Sequence, residues 1–322
     1  MLPIKKAVIE ICGICNYKCK MCPHAFGSGR EQQFKRMMNY QMFLNLLEQL
    51  EDSHVEEIFL EGSGEPTMNK RLPDFVRAAS DKGFRVSYIT NGALMTGNLM
   101  QEVVDAGLHF TRFSVTGYNK QKYTEWMSED NLELIISNAN ETLEYIRKTG
   151  AKTTVGSYHL IIDNNNVEYE VEQYQENFIN KVPGIKASIW MMHNWAGLYS
   201  DITYRTKPER RSCGRPFSPD LVVRAGGNDG KQGAVVPCCM VLGQDSTAVL
   251  GHLSEQTVVE IWNGEKYQAL RSAHREHRFD DIPYCKNCDM LYEAPESLVW
   301  SNFDTSYHQL TGGLFDMREF RI

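Results

Sequence analysis

No stretch of this 322-residue chain approaches the roughly 18 consecutive apolar residues that a membrane span requires. The N-terminus, Met1-Leu2-Pro3-Ile4-Lys5-Lys6, offers no apolar signal core before the cysteines begin. The expectation is therefore a cytoplasmic protein with no membrane partner. Positive charge is also in short supply: 34 Lys and Arg against 41 Asp and Glu leave a net charge of −7. Nucleic-acid affinity rests on clustered cations, so a nucleic-acid partner is not expected. One basic cluster does exist, Arg205, Lys207, Arg210, Arg211 and Arg215, and it reads as a solvated linker. What the chain has in quantity is cysteine, nine residues of it. In a cytosolic chain these point to metal or redox chemistry rather than to a disulfide framework, and the odd count leaves at least one thiol over. The length and the 42% apolar content suffice for one large core, or for a core plus a smaller domain.

Four of the nine cysteines fall between Cys12 and Cys22. Cys15, Cys19 and Cys22, at x3 and x2 spacing, can hold three irons of a cubane cluster and leave the fourth iron without a protein ligand. Zinc is the competing metal, because Cys12 and Cys15 could pair as one CxxC knuckle. Zinc knuckles, however, are normally a dozen or more residues apart, and only three separate Cys15 from Cys19. A third reading treats these cysteines as a buried strand end. The clustering favours iron–sulfur over both.

The chain around this run is built from alternating units. Lys6 to Ile11 reads as a strand that delivers the cysteines at its C-terminal end. A helix follows from about Asn39, with Phe43, Leu46, Leu47 and Leu50 on one face. The second strand, Val55 to Leu60, runs straight into Gly62-Ser63-Gly64-Glu65-Pro66. Helices 70–82, 97–106 and 131–149 each end at a glycine that precedes an apolar run, as in the αβ loops of a parallel sheet. A fifth helix carries Val167, Val171, Tyr174 and Phe178, and Ile185 to Met192 makes a sixth strand. Six such units predict an α/β fold, an open, partial (β/α)6 TIM-like barrel; the two further units of a closed barrel are missing after residue 195. Barrel active sites gather at the C-terminal strand ends. Those ends carry Cys15 to Cys22, Gly62 to Glu65, Asn91, Ser114 to Thr116, Ser157 and His159, and His193 to Trp195. His193 reads as an ordinary barrel-mouth residue.

Beyond a polar, basic junction at 199–220 stand Cys213, Cys238, Cys239, Cys285 and Cys288. Cys213, Cys238 and the Cys285-Lys286-Asn287-Cys288 pair could form a four-thiolate site, which on spacing alone suits zinc as well as a cluster.

Cx3CxxC after a first strand resembles the motif of the radical S-adenosylmethionine (SAM) superfamily. The resemblance implies that Cys15, Cys19 and Cys22 ligate a SAM-binding [4Fe–4S] cluster and that Met21 packs near the SAM adenine. It also implies that Gly62, Ser63, Gly64 and Glu65 form the motif that binds the SAM amino group, with Asn91 and Ser114 contacting SAM by position. Cys12 lies outside the motif and reads as a strand residue. Gly233-Ala-Val-Val-Pro-Cys238 resembles the SPASM/twitch extension of these enzymes, as do Leu250-Gly251, Glu260-Ile261-Trp262-Asn263-Gly264 and Leu270-Arg271. No cysteine follows Cys288, so the match is to the shorter twitch form. One auxiliary [4Fe–4S] cluster on Cys213, Cys238, Cys285 and Cys288 is implied, making two clusters in all.

The domains expected are the barrel at 1–200, the twitch/SPASM domain at 201–292 and a tail at 293–322 of unknown role. The chemistry implied is reductive cleavage of SAM, fed by an electron donor such as flavodoxin or ferredoxin. A 5′-deoxyadenosyl radical then takes a substrate hydrogen. Resemblance to twitch dehydrogenases, and a first strand that starts too early to leave a leader-binding domain, point to oxidation of a hydroxyl on a sugar, cyclitol or related small molecule. The alternative is peptide modification, by epimerisation with Cys239 as hydrogen-atom donor or by cross-linking. No motif names a base for the alcohol; His193, Glu65 and Arg215 are the candidates.

Overall fold

The computed structural model describes residues 2–23, 36–51, 54–198, 209–226, 231–241, 246–292 and 298–303. The basic cluster's Arg205 and Lys207 therefore lie outside the described residues.

Six parallel strands stand in chain order: β1 (Lys6–Ile9), β2 (Glu57–Leu60), β3 (Arg85–Thr90), β4 (Leu108–Ser114), β5 (Thr154–Ile161) and β6 (Lys186–Met191). The helices between them are α1 (Tyr40–Glu51), α2 (Leu72–Asp81), α3 (Gly97–Asp105), α4 (Lys120–Met127), α5 (Leu132–Thr149) and α6 (Val167–Asn177). Helices α1, α2, α3 and α5 each bury an apolar stripe. On α1 the buried residues are Phe43, Leu46, Leu47 and Leu50, the face that the 3.6-residue period predicts. Gly150 ends α5 in the left-handed region at φ 73°, the C′ glycine expected there. The α/β partial-barrel expectation holds.

Helix α4 was not foreseen, because its polar sequence, KQKYTEWM, buries only Tyr123 and Met127. The C-terminal segment does not make a separate sheet. β7 (Asp220–Gly226) pairs parallel with β1 on the side away from β2, and β8 (Gln232–Val236) and β9 (Gly251–His252) continue the sheet antiparallel. Helices α7 (Val258–Asn263), opened by a Thr257–Glu260 capping box, and α8 (Glu265–Arg275) follow. In the tail, β10 (Leu298–Ser301) pairs antiparallel with β6, and Asn302 bonds the backbone of Ile185 and Ala187. That strand closes the other edge of a ten-stranded sheet.

Strand parity corrects two of the expected mouth residues. Successive strand side chains alternate faces, and on β5 it is Tyr158 and Leu160 that face the central cavity. Ser157 and His159 face the helices. His159, fully buried, sits 2.6 Å from Glu170 of α6 through Nε2 and stacks on Tyr174, while Glu170 also accepts from the backbone of Ile162 and Asp163. His159 is a brace between sheet and helix.

At the opposite end of the barrel Glu57 is buried with neither carboxylate oxygen hydrogen-bonded, 3.9 Å from Lys6. Burial raises its pKa above the ordinary carboxylate range, against the pull of Lys6 and Arg85. A raised folded-state pKa contributes stability below the unfolded value that is lost as pH climbs through the folded one. Glu57→Gln is therefore expected to flatten the fall in stability on going from acid to neutral pH. At pH 7 it should be neutral, or stabilising by up to about 1 kcal/mol. Thermal midpoints of both proteins across pH 4–8 check this, and a loss of several degrees in Glu57→Gln at pH 7 would contradict it.

Candidate active site

At the C-terminal mouth of the strands lies a cavity of about 350 Å³. Cys15, Cys19, Cys22 and Met21 wall one side, with Gly62 to Glu65, Asn91 and Ser114 next to them; Arg215, Arg224, Cys239 and Met240 stand on the wall contributed by the C-terminal segment. The residues expected at the SAM-binding cluster and around SAM thus border one space, whereas Cys213, Cys238, Cys285 and Cys288 do not line it. Cys12 does not line it: its thiol sits 3.4 Å from the Ile14 carbonyl and its backbone bridges to Met37, as a strand residue would.

The cysteine loop is held from several sides. The Lys18 N–H donates to Ser128 Oγ at 2.8 Å and the Lys20 N–H to the Trp126 carbonyl, both at the end of α4. Lys20 pairs with Glu125, and Asn131 donates to the Tyr17 hydroxyl. The unforeseen α4 is thus the outer support of the cluster loop. From inside, Asn91 Nδ2 donates to Asn16 Oδ1 at 2.7 Å.

The glycine-rich turn braces the same loop. The Glu65 N–H donates to the Ile14 carbonyl, and a Cβ on Gly64 would stand 2.5 Å from the carbonyl oxygens of Cys12 and Ile14. The Glu65 carboxylate is buried and saturated: it accepts from Thr67 N and Oγ1, Thr90 Oγ1 and Asn91 N, with burial raising its pKa against those bonds. It ties the turn to the end of β3, so it is a poor candidate for a proton-accepting base. Ser63 is similarly committed, its N–H and hydroxyl both donating to Glu10 Oε2.

Glu10 is a residue that sequence reasoning missed. It is buried at the end of β1, and its other oxygen accepts from the Ala225 N–H on β7. Arg224 Nη1 stands 3.7 Å away. Arg224 is itself buried and donates to the carbonyls of Cys239 and Val241, clamping the turn that presents Cys239 to the cavity. A lone Glu in a strand carries no motif, and its partners lie 53 and 215 residues away.

The second cysteine set is knit to the mouth through Asn194. Its amide donates to the Asn287 carbonyl inside the CxxC, while its N–H reaches Asp289. The next residues, Trp195, Ala196 and Gly197, are all left-handed, and non-glycine residues hold that conformation at a cost of order 1 kcal/mol or more each. The linker reading of the basic cluster needs correction where it is described. Arg210 forms a two-pronged pair with Asp280, and Arg215 lies on the cavity wall beside Cys213, Cys238 and Cys239, whose thiols act on its charge.

The thiols fall into two groups that influence one another's ionisation. Burial pushes Cys15 up to about 12 and Cys19 well above its ordinary value, with Cys22 adding to both. Burial likewise raises Cys285 and Cys288, with Cys213 and Cys238 acting on each. Buried thiols of this kind are inert as free groups and ionise when a metal neutralises them. Among the described residues no three Cys, His, Asp or Glu side chains converge on a point fit for one ion. A tetrahedral zinc needs that convergence, with sulfurs about 2.3 Å from the metal. A cubane does not, since each thiolate serves a different iron. The Cys15, Cys19 and Cys22 run and the four cysteines of the second set supply the thiolate ligands that such clusters take.

Comparison with known proteins decides the family. The model of the radical SAM superfamily matches residues 9–171, half of the chain, and that of the SPASM iron–sulfur cluster-binding domain matches residues 230–289. The chain belongs to the radical SAM superfamily. A tungsten-containing aldehyde ferredoxin oxidoreductase cofactor-modifying protein of Pyrococcus furiosus is 24% identical over 89% of this chain and 88% of its own length. The S-adenosyl-L-methionine-dependent 2-deoxy-scyllo-inosamine dehydrogenase of Niallia circulans is 24% identical over 87% and 91%. The crystal structure of BtrN with AdoMet and 2-DOIA superposes with a TM-score of 0.59 at 19% identity, over 92% of this chain and 98% of that one. The radical SAM enzyme accordingly uses SAM and two iron–sulfur clusters. No helix among the described residues is long and apolar enough to cross a membrane.

Proposed function

We propose that this radical SAM enzyme oxidises a hydroxyl of a sugar, cyclitol or related small molecule to the carbonyl, with the auxiliary cluster taking the electron. The observation that carries the reading is the single cavity, bordered by Cys15, Cys19 and Cys22 on one side and by the Cys239 turn on the other. The full-length similarity to a cyclitol dehydrogenase agrees with it.

In this reading Cys15, Cys19 and Cys22 hold the SAM-binding cluster, and Cys213, Cys238, Cys285 and Cys288 the auxiliary one. When bound, SAM and its cluster supply a carbon radical able to take a hydrogen atom from an unactivated C–H. Met21 packs beside the adenine, the Gly62 to Gly64 backbone meets the amino group, and Asn91 and Ser114 border the rest of SAM. The protein's own contribution to the remaining chemistry is a proton acceptor. Glu61 fits that role better than the candidates read from sequence. It lines the cavity, and among the described residues its side chain makes no hydrogen bond or ion pair, whereas Glu65 is saturated. Glu61 would take the alcohol's proton, while SAM and the two clusters, held by the two cysteine sets, would supply the hydrogen-atom and one-electron chemistry that completes oxidation to the carbonyl. A one-electron donor such as flavodoxin or ferredoxin would be the partner that supplies the reducing equivalents.

Cys239, on the cavity wall with its thiol pushed up to about 11 by burial, gives the second reading its footing. A protonated thiol is a hydrogen-atom donor, as peptide epimerisation would need. The discriminating experiment uses anaerobically reconstituted enzyme, SAM, dithionite and 2-deoxy-scyllo-inosamine with related cyclitols and sugars. The expected result is a ketone formed in step with 5′-deoxyadenosine, retained within about twofold in Cys239→Ala and reduced about 10²-fold or more in Glu61→Gln. Loss of product formation in Cys239→Ala, with 5′-deoxyadenosine still released, would favour the epimerase.

A further inference from the structure

Next to the second cysteine set stands a histidine whose hydrogen bonds form a directed chain. His274, on α8, is fully buried between Phe217 and Phe279. Its Nε2 lies 3.6 Å from Cys285 Sγ and its Nδ1 3.0 Å from Ser212 Oγ, and the Gly214 N–H donates to that same oxygen at 3.3 Å. An iron-bound thiolate carries no proton, so between His274 and Cys285 only Nε2–H can donate. Nδ1 is then the unprotonated nitrogen and accepts the Ser212 O–H, while Ser212 Oγ accepts from Gly214. Every group in the chain is satisfied by this one arrangement and the ring is neutral.

We propose that His274 is a positioning and tuning residue for the auxiliary cluster: its Nε2–H, oriented by Ser212, donates to Cys285 Sγ and makes the cluster easier to reduce. The proposal rests on the reading of Cys285 as a cluster ligand. A reduced cluster carries one more negative charge than the oxidised one, and a hydrogen bond to a ligand sulfur stabilises the more negative form. Hydrogen bonds to the sulfurs are among the main determinants of cluster potential. The bond is partly buried and the imidazole wholly so, with Phe217 and Phe279 against the ring, which limits the screening of its effect. For a site that must accept a single electron from an alcohol-derived radical, a raised potential favours the transfer.

The test is a potentiometric titration of the reconstituted full-length enzyme, followed by electron paramagnetic resonance, with the SAM-binding cluster as internal reference. In His274→Leu the one-electron reduction equilibrium of the auxiliary cluster is expected to fall about tenfold, a shift of about 59 mV to lower potential. The SAM-binding cluster should not move. His274→Gln, whose amide N–H can still reach the sulfur, should recover much of the difference. An unchanged auxiliary potential in His274→Leu with the cluster intact would overturn the proposal, as would equal shifts in the Leu and Gln variants. Should the Leu variant fail to assemble the cluster, wild-type protein labelled with ¹⁵N-histidine decides the matter. The reduced auxiliary cluster should show a weak histidine nitrogen coupling that disappears in His274→Gln, and absence of that coupling in the wild type overturns the proposal. Cys285→Ala separates the two assumptions: if it leaves the auxiliary signal unaltered, the ligand reading has failed and the tuning role falls with it.

Discussion

Gly64→Ala is expected to abolish SAM cleavage and to lower the iron content from about eight to about four per chain, the same loss as in a Cys15/Cys19/Cys22→Ala triple variant. The reason is steric and local. A Cβ at residue 64 would lie 2.5 Å from two carbonyl oxygens, those of Cys12 and Ile14, and 2.6 Å from the Gly13 carbonyl carbon. These are backbone atoms with no rotamer to change, so the loop itself must retreat. The loop in question carries Cys15, and the Glu65 N–H to Ile14 carbonyl bond that fixes its height would be broken by the same displacement. A cubane site tolerates little movement in one ligand when the segment carrying the next, Cys19, is bonded to the end of α4 through Lys18 and Lys20. Gly62 offers an instructive contrast. The atoms nearest its added Cβ all belong to the Glu10 side chain, at 2.3 Å from the carboxylate oxygen, so Gly62→Ala should act through Glu10 and retain more iron than Gly64→Ala. Iron and acid-labile sulfide, with 5′-deoxyadenosine release, measure all three variants. Full iron loading in Gly64→Ala would mean that this close approach does not set the position of the cluster loop.

The same contact alters the meaning of the glycine-rich turn. Read from sequence, Gly62-Ser63-Gly64-Glu65 is a ligand motif. In the structure it is in addition the internal buttress of the cysteine loop, with Glu65 and Ser63 spending their side chains on Thr67, Thr90, Asn91 and Glu10. The Ser63 and Glu65 N–H groups are likewise committed, to Glu10 and Ile14, which leaves the carbonyls of Gly62 to Gly64 to meet a ligand. One short segment therefore sets both the position of the cluster and the shape of the space beside it.

Most of this site was legible in the sequence because its information is local. Cys15, Cys19 and Cys22 lie within eight residues, the turn follows one βα unit later, and glycines Gly83, Gly107 and Gly150 mark the ends of α2, α3 and α5. What escaped was carried by pairings across long separations or by residues with no pattern of their own. Helix α4 has too few apolar residues to announce itself, yet Ser128 and Trp126 at its end hold Lys18 and Lys20. Strand β10 follows a proline-bearing stretch and pairs with β6 more than a hundred residues earlier. His159 appeared at a strand end, but its parity turned it to Glu170 and away from the mouth. Arg215 looked like one charge in a solvated run, whereas burial beside three thiols gives it a place on the cavity wall.

Glu10 is where the long-range part of the design is concentrated, and Glu10→Ala is expected to cost about 3–5 kcal/mol, the usual penalty for removing one partner of a buried charge pair. The substitution leaves the buried Arg224 cation facing no anion and deprives Ser63 N–H, Ser63 O–H and Ala225 N–H of their acceptor. Those donors belong to β7 and to the turn after β2, so a single carboxylate on β1 joins the strand on each side of it. In a chain of this size the loss corresponds to a fall in thermal midpoint of about 5–15 °C. Arg224→Met should cost less. Glu10 would keep its three hydrogen bonds, although the Cys239 and Val241 carbonyls would lose their clamp. The double variant should be distinctly less damaged than the sum of the two single ones, because once the carboxylate is gone the stranded cation is a liability whose removal is a gain. Thermal midpoints of the four proteins close the cycle, and strict additivity would show that Glu10 acts through Ser63 and Ala225 alone. The chemical consequence follows the structural one. If Glu10 sets the spacing between the turn beside the SAM-binding cluster and the strand that presents Cys239, then Glu10→Ala should uncouple the two halves of the reaction, releasing 5′-deoxyadenosine with a smaller yield of oxidised product per turnover.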